Sequence, residues 1–299
     1  MKGWIICKEK NMDSYENKRF QEVAQEEGIE LELRDPSDFD IIATIGGRKS
    51  LIYQGQEVSL PEFVLPRMGS GTTYFGLAVI RQLERLKVPV INSAESIEKA
   101  KDKLHTIQIL AADNLPTPKT MLARFPVDID VIVREFECPL IIKTLSGSEG
   151  KGVFLCENRG HFEDLSDLLN EARDVNVNFI VQEFVSSSKG KDIRVFVVGG
   201  MPVVAMLRKG GEGKFKANIA AGGSGELYEL NPEIEWLSVE ASRLLSLDIA
   251  GVDILFDGEH FKVCEVNSAP GFEGLEQATG VNVPEQIYQY IRVRLGLFT

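Results

Sequence analysis

Three oxygen-bearing side chains stand at spacings that suit a hard divalent cation. In the run G-V-D-I-L-F-D-G-E-H-F-K-V-C-E-V-N-S-A-P-G, Gly251 to Gly271, Glu265 and Asn267 are two residues apart, so on a strand they point to one face. Cys264 and Val266 would then point to the other face, into the core. Two such donors suit Mg²⁺, which is held by one or two carboxylates and completes its shell with water and phosphate oxygens. Asp253 lies in the preceding apolar run, where a carboxylate is costly to bury alone. If the two segments form a hairpin, Asp253 and Glu265 share a face only when the connection has an odd number of residues. A three-residue loop, Asp257-Gly258-Glu259, meets that condition, with Gly258 free to take φ > 0. It pairs Asp253 with Val263 and sets Glu265 diagonally beside it. The spacing predicts that loop or an equivalent bulge; a plain two-residue turn with no bulge is incompatible with the metal site. The alternative for the same residues is a solvated hairpin face.

Three further clusters carry phosphate or nucleotide chemistry. K-T-L-S-G-S-E-G-K-G, Lys143 to Gly152, puts Gly, Ser and Lys in a turn between strands, where backbone N–H groups can close over phosphates. It is not a Walker A loop, because only two residues separate Gly147 from Gly150 and Gly152 follows Lys151. Lys143, before the turn, is a candidate phosphate contact; a plain hairpin turn is the alternative. V-Q-E-F-V, Val181 to Val185, followed by K-G-K-D-I-R, Lys189 to Arg194, could present backbone groups to an adenine edge and the Asp192 carboxylate to ribose hydroxyls. A hinge and a charged strand start explain the same residues. R-K-G-G-E-G-K-F-K-A-N, Arg208 to Asn218, concentrates positive charge, and Arg208, Lys214 and Lys216 could neutralise a phosphoryl group in transit; a solvated loop is its alternative. There is no G-x-S-x-G elbow and no Cys–His spacing that suggests a nucleophile. Asp13-Ser14 reads as a helix N-cap.

The elements that must position these residues alternate in the first third. Trp4 to Cys7 reads as a strand. Ser14 to Glu27 reads as a helix with Phe20, Val23 and Ala24 on one face and Gly28 as its stop. Ile29 to Leu33 and Phe63 to Pro66 read as strands, Thr72 to Leu86 as an amphipathic helix, and Val88 to Ile91 as a strand. This alternation predicts a parallel α/β sheet, with a hairpin at Tyr53-Gln-Gly-Gln56 inserted in it. Ser93 to Asn114 reads as one helix, and Pro116 and Pro118 mark a boundary. Beyond it come strands Leu140 to Lys143, Val153 to Cys156 and Phe179 to Glu183, with a helix over Phe162 to Ala172, forming a small α+β unit. Paired strands (Ile193 to Val198, Val203 to Leu207, Ala250 to Phe256, His260 to Val266) and helices over Glu233 to Leu247 and Glu285 to Leu295 complete the chain. Gly-rich loops are expected at Lys209 to Lys214 and Ala220 to Gly225.

Composition sets the class. The 299 residues contain 33 Lys plus Arg against 45 Asp plus Glu, a net charge of −12, which argues against stable nucleic-acid binding through a general basic surface. No apolar run approaches the ~18 residues of a membrane span, and M-K-G-W-I-I-C-K-E-K does not read as a secretory signal. Cys7, Cys138, Cys156 and Cys264 are scattered and read as buried thiols in a reducing, cytoplasmic compartment. Zinc is not expected from three scattered His.

In this order and spacing, the four clusters resemble the ATP-grasp ligases, and most of all the RimK family, which joins glutamate to a carboxyl terminus. The resemblance covers nearly the whole chain. It includes L-P-R-M-G-S-G-T-T-Y-F-G (Leu65 to Gly76), I-N-S-A-E-S-I-E-K-A-K-D-K-L (Ile91 to Leu104), V-Q-E-F-V, D-I-R, G-V-D-I-L and E-V-N-S-A-P-G-F-E-G-L-E-Q-A-T-G. The fold it implies combines α/β and α+β parts: an N-terminal parallel α/β (pre-ATP-grasp) domain over 1–95, a linking helix and small lid over 96–185, and a C-terminal antiparallel-sheet domain with the metal site over 186–299.

The resemblance also implies roles. Lys103 and Lys143 match nucleotide-contacting lysines. The segment Ser146 to Gly152, with Ser146, Gly147, Ser148, Gly150 and Gly152, matches a loop over the phosphates. Glu183 and Phe184 match the adenine hinge, Asp192 the ribose contact, and Lys216, Ala217 and Asn218 a nucleotide-contacting triplet. Asp253, Glu265 and Asn267 match ligands for Mg²⁺ (or Mn²⁺), with two ions expected. Arg208 matches a catalytic arginine at the acyl phosphate and tetrahedral intermediate. Lys216 stands where the family often has Arg, giving a point charge in place of a fork, and Ser268-Ala269 reverses the commoner order. The implied activity is an ADP-forming ligase that uses ATP to add glutamate to a protein or peptide C-terminus, with a ribosomal protein tail as one acceptor. The same chemistry on a small molecule, carrier protein or precursor peptide is one alternative, and a non-catalytic nucleotide-binding regulator another. Dimers or tetramers are expected by the same resemblance.

Overall fold

The computed structural model describes residues 1–43, 45, 50–123, 127–145, 152–171, 178–211, 213, 215–217 and 222–297. Strand β1 (Lys2–Ile6) leads into α1 (Tyr15–Glu26) and returns as β2 (Glu30–Arg34), parallel to it. The Ser14 side chain accepts from Asn17 N–H and starts α1, whose buried stripe of Phe20, Val23 and Ala24 gives it one core-facing side. Gly28 ends the turn at φ 66°. Strands β3 (Phe39–Ile41), β4 (Leu51–Tyr53) and β5 (Gln56–Glu57) form a small antiparallel sheet. The expected hairpin at Gln54-Gly55 joins β4 and β5, with Tyr53 paired to Gln56. Strand β6 (Phe63–Pro66) pairs parallel with the other side of β1, completing the order β2-β1-β6. Val88 to Ile91 is not a full strand; it makes a single parallel bridge, Val64 to Val90.

Helix α2 (Tyr74–Arg85) follows β6, capped by the Thr73 hydroxyl. The single helix expected over Ser93 to Asn114 is instead two, α3 (Ala94–Lys101) and α4 (Lys103–Ala112). Asp102 breaks it at φ −89°, ψ 106°, and its carboxylate accepts from the Leu104 and His105 N–H groups. A short acidic side chain competes for the backbone in this way and converts helix interior into a cap. The break leaves Lys103 as the first residue of α4.

A four-stranded antiparallel sheet comes next, built from β7 (Thr120–Leu122), α5 (Ile129–Glu135), β8 (Leu140–Thr144), β9 (Val153–Cys156), α6 (Arg159–Glu171) and β10 (Phe179–Glu183), in the order β7-β10-β8-β9. Its core joins Ile132, Phe136, Ile142, Phe162, Phe179 and Val181. Neither β7 nor α5 was expected, and α6 begins before Phe162.

The last sheet runs β13-β12-β11-β14-β15, all antiparallel, from β11 (Lys191–Val198), β12 (Met201–Lys209), β13 (Ser224–Tyr228), α7 (Pro232–Leu244), β14 (Ile249–Asp257) and β15 (His260–Asn267). Strand β13 begins at Ser224, inside a segment expected to be only a loop. The sheet buries both faces. Ile193, Val195 and Val197 pack with Ile234, Leu237 and Ala241 on the α7 side, whereas Phe196 and Val198 alternate to the other side. There they meet α8 (Glu273–Thr279), which was not expected, and α9 (Val283–Arg294), which starts two residues before the expected Glu285. The same cluster takes in Ile5, Phe20 and Phe63, so the parallel sheet and this sheet share one core. Asn92 reinforces the junction: its amide nitrogen donates to the Ile249 and Ser268 carbonyls at 2.8 and 2.7 Å, and its oxygen accepts from Ile249 N–H at 2.8 Å. Among the described residues no helix is long and apolar enough to cross a membrane. Cys138 is exposed and Cys264 half-buried, so the expectation of four buried thiols holds only for Cys7 and Cys156.

Candidate active site

The hairpin of β14 and β15 turns on two residues, Gly258 and Glu259, with Gly258 at φ 65°. The three-residue loop is therefore absent. From Asp257–His260 to Ile254–Val263 the pairing is regular; then the register shifts, and Asp253 lies opposite Glu265 and Gly251 opposite Asn267. Cys264 is the extra residue of a β-bulge. Without it Asp253 would face Cys264, and Glu265 would turn to the other side. The bulge is the equivalent that the spacing required, and it sets Glu265 directly across from Asp253 instead of on the diagonal. It also corrects the placement of Cys264. This side chain does not enter the core; it lines the cleft, where Lys143 Nζ donates to its Sγ at 3.4 Å.

These strands form one wall of a cleft of about 1500 Å³. The four-stranded sheet, with Lys143 and Val153, forms the opposite wall. The cleft continues to the carboxyl ends of β1 and β6. Cross-strand register carries the charges of the first wall. Arg194 lies opposite Asp253, and Arg208 lies opposite Asp192. Arg194 grips Asp253 bidentately, Nε to Oδ1 and Nη2 to Oδ2, both at 2.7 Å. Arg208 grips Asp192 at 2.6 and 2.8 Å, and its Nη2 lies 3.0 Å from Asp253 Oδ2. Lys103 Nζ, carried in by the start of α4, donates to Glu265 Oε1 at 2.8 Å.

Burial pushes the Asp253 carboxyl up, but Arg194 and Arg208 outweigh it and hold the group at about 2. Burial pushes the Asp192 carboxyl up, and the Asp253 charge adds to this against Arg208 and, more weakly, Arg194. Arg208 is held above its ordinary value; burial opposes this, but both carboxylates favour the charge. Lys143 is also raised, by Cys264, Glu265 and Asp253 against burial. Burial pushes the Cys264 thiol up.

The donors of Asp253, Glu265 and Asn267 are hard oxygens on one face. The Asn267 amide nitrogen donates to the Gly251 carbonyl at 3.4 Å, which orients its oxygen as the free end of the amide. Among the described residues no group of three or more His, Cys, Asp or Glu could hold a metal by itself. Two carboxylates, an amide oxygen and space beside them fit a hard ion whose shell is completed by water or phosphate. The protein cations that now balance the carboxylates would share them with that ion.

At the other end, the Glu183 carboxylate accepts from Lys262 Nζ and from Lys119 N–H at 2.8 Å. Its own N–H donates to the Lys119 carbonyl at 2.9 Å. Glu183 and Phe184 line the cleft with Ile141, Val153 and Leu255, an apolar slot beside a backbone edge. Lys216 and Ala217 also line the cleft, and burial lowers the Lys216 ammonium. Gly152 sits at φ 72°, with its carbonyl accepting from Thr144 N–H at 2.9 Å. Ser146, Gly147, Ser148, Gly150, Lys151, Lys214 and Asn218 lie outside the described residues. The sequence reasoning missed Arg194, Arg67 and Lys262. The first had a usable signal: Asp192 and Arg194 flank the buried Ile193 and so share a face.

A parallel α/β sheet joined to two antiparallel sheets, with a cleft lined by lysines, arginines and carboxylates between the latter two, is the ATP-grasp architecture. Over 98% of both chains the fold matches that of the ATP-grasp ligase PsnB complexed with minimal precursor, Mg and ADP, with a TM-score of 0.75 at 18% identity. The RimK-like ATP-grasp domain profile matches residues 100–291, and the RimK PreATP-grasp profile matches residues 1–97. A probable alpha-L-glutamate ligase of Thioalkalivibrio sulfidiphilus (strain HL-EbGR7) is 37% identical over 93% of this chain and 91% of that one. A second, of Halorhodospira halophila (strain DSM 244 / SL1), is 37% identical over 96% and 94%. The chain belongs to the RimK family of ATP-grasp proteins, and it is an ADP-forming carbon–nitrogen ligase.

Proposed function

We propose that this protein adds glutamate to the carboxyl terminus of a protein or peptide acceptor, with a ribosomal protein tail the first acceptor to test. The observation that carries it is the convergence of Lys103, Arg194 and Arg208 on Asp253 and Glu265, with Lys143 on the adjoining Cys264, at one end of the cleft. Such a site offers preorganised positive charge where a phosphoryl group is transferred, a reaction that needs no side-chain nucleophile.

In this reading ATP lies with its adenine against Glu183 and Phe184, its ribose near Asp192, and its phosphates against Lys103, Lys143, Lys216 and the 146–152 segment. Ala217 and Asn218 complete the nucleotide contacts. Asp253, Glu265 and Asn267 would hold Mg²⁺, two ions in all, with Mn²⁺ as a substitute, and the bound metal would offset charge on the phosphate oxygens. The acceptor carboxylate attacks the γ-phosphorus, ADP departs, and an acyl phosphate results. Arg208, spread between two carboxylates, is positioned to steady the charge on that acyl group. The walls of the cleft exclude water from it. The amine of glutamate then attacks the acyl carbon, loses a proton and expels phosphate, leaving a peptide bond. The division at 1–95, 96–185 and 186–299 belongs to the same proposal, with nucleotide bound between the second and third parts.

The test is mass spectrometry of acceptor proteins and a glutamate-ended peptide incubated with the protein, Mg-ATP and glutamate, with ADP followed in the same tubes. Mass gains in glutamate-residue steps with matching ADP support the proposal. ADP without a glutamate gain moves the assignment to another amino acid or acceptor.

A further inference from the structure

Arg67 stands at the carboxyl end of β6, its backbone N–H donating to the Ile6 carbonyl at the end of β1. The chain leaves β1 toward β2 on one side, and β6 lies on the other. These two strand ends therefore flank the point where the strand order reverses, the place where open parallel sheets bind ligands. The cleft reaches this place, lined by Asn11, Ser14 and Glu16 after β1 and by Met68 and Gly69 after β6.

The guanidinium there has too few partners for its charge. It is fixed by one hydrogen bond, Nη2 to the Pro270 carbonyl at 2.8 Å. It is flanked by the rings of Phe20 and Phe272 at 5.6 and 5.7 Å. Among the described residues it makes no ion pair. Burial disfavours its charge, offset only in part by Glu16 and Cys7. Glu16 is itself engaged, its Oε1 accepting from Phe272 N–H at 3.2 Å. A guanidinium presents five donors in a planar fork, and one is used here. A rigid, aromatic-flanked fork with donors to spare is built for a carboxylate.

We propose that Arg67 anchors a carboxylate of the incoming amino acid, making the ends of β1 and β6 the amino-acid subsite. This rests on the ligase reading above. The acceptor carboxylate must use its lone pairs to attack phosphorus, and a bidentate clamp would withdraw them. A carboxylate that stays anionic throughout suffers no such loss, and glutamate brings two. Arg67, Pro270 and Asn267 line the same cleft, so the anchored molecule shares it with the phosphoryl end, on the side its amine must approach from.

The experiment compares wild type with R67Q and R67K, using glutamate, its α-amide and its γ-amide as amine substrates at fixed acceptor. R67Q should raise the KM for glutamate by about 10- to 100-fold, the loss of a charged hydrogen-bond pair, and change the KM for ATP by less than about threefold. Wild type should discriminate against one of the two amides, which identifies the anchored carboxylate, and R67Q should lose that discrimination. R67K, which keeps charge without the fork, should fall between, and it decides the matter if R67Q does not fold. Unchanged glutamate KM, or equal losses for glutamate, both amides and ATP, would overturn the proposal. Calorimetric titration of glutamate into protein loaded with a non-hydrolysable ATP analogue separates the two claims. Glutamate binding lost in R67Q upholds Arg67 even if no acceptor is ever glutamylated, and no glutamate binding by wild type refutes it.

Discussion

Asp253→Asn removes one charge from the most crowded part of the cleft without changing shape, and the structure sets its cost. Asp253 is 5% exposed. It takes both fork bonds of Arg194 and a third contact from Arg208. After substitution Arg208 keeps its bidentate pair with Asp192, and removing the Asp253 charge makes that pair easier to ionise. The residue left stranded is Arg194. Breaking a buried pair costs about 3–5 kcal/mol, and one stranded arginine beside an open cleft places the loss near the lower end, about 3 kcal/mol. Proton linkage gives a similar figure. A carboxyl held at about 2, against an ordinary 3.8, contributes on the order of 2–3 kcal/mol at neutral pH. Because the folded value is the lower one, this stability is complete above the unfolded value and is lost as pH falls through about 2. The assay is thermal and urea unfolding of wild type and D253N at pH 7 and along a series to pH 2. A loss of about 3 kcal/mol, or a Tm lower by roughly 6–12 °C, is expected at pH 7, and the gap should close toward pH 2. A loss under about 1 kcal/mol at pH 7, or a gap independent of pH, would refute the account of the arginine clamp.

Glu265→Gln should behave in the opposite way: its side chain is 37% exposed and, among the described residues, its ion pair is with Lys103, so stability should fall by less than about 1 kcal/mol. ADP formation should drop about 10²–10³-fold, because charge that faces the transferred phosphoryl group is lost; full activity in this variant would show that the metal site is misplaced. Gly251→Ala puts a Cβ 2.5 Å from the Pro270 Cβ. It should cost about 1–3 kcal/mol in urea unfolding and raise the KM for glutamate through the Arg67–Pro270 contact. Asn92→Ala strands two carbonyls and an N–H in a buried junction and should lower stability by roughly 2–3 kcal/mol, read by chemical denaturation.

The elements that periodicity describes well are those whose faces differ most in polarity. Helix α1, with a capping serine, a stripe of Phe20, Val23 and Ala24 and a terminal glycine, needs no tertiary information. The paired strands Ile193 to Val198 and Val203 to Leu207 were legible for the same reason. The failures lie where a short segment answers to a neighbour. Val88 to Ile91 has strand composition but only one bridging partner. Strand β7 is three residues long and exists because β10 offers it an edge. Asp102 looks like an ordinary polar helix residue until its carboxylate turns back on the next two N–H groups. The residues that line the candidate cleft, Lys103, Lys143, Asp192, Arg208, Asp253, Glu265 and Asn267 among them, were legible as a set because hard oxygens and basic side chains cluster in sequence. Arg67 was not, because its meaning lies in a missing partner, and a sequence displays the residues present, not the charges left unbalanced after folding.

The bulge at Cys264 shows why register is the hardest of these features to read. The hydrophobic pattern of β15 places Val263 and Val266 in the core, three residues apart, and a strict period of two cannot do that. An extra residue had to be absorbed between them, and the choice of 264 decides the chemistry. Placed there, it sends Cys264 and Glu265 together toward the cleft; Asp253 and Glu265 become cross-strand neighbours, close enough to share a cation. Parity alone required an extra residue in the turn or in a strand. The turn alternative would leave Glu265 a step away on the diagonal. The bulge also spends a ladder position to turn a thiol toward Lys143, beside the proposed phosphate site. Removing Cys264 from the chain should therefore do more than delete a thiol. It restores regular pairing past Asp253, yet keeps Val266 on its own face and Glu265 opposite Asp253, because each moves up by one position. Turnover in a Cys264-deletion variant would then survive in part, with a changed KM for ATP from the lost contact to Lys143. Complete loss of the metal response would mean that the bulge, beyond register alone, shapes the site.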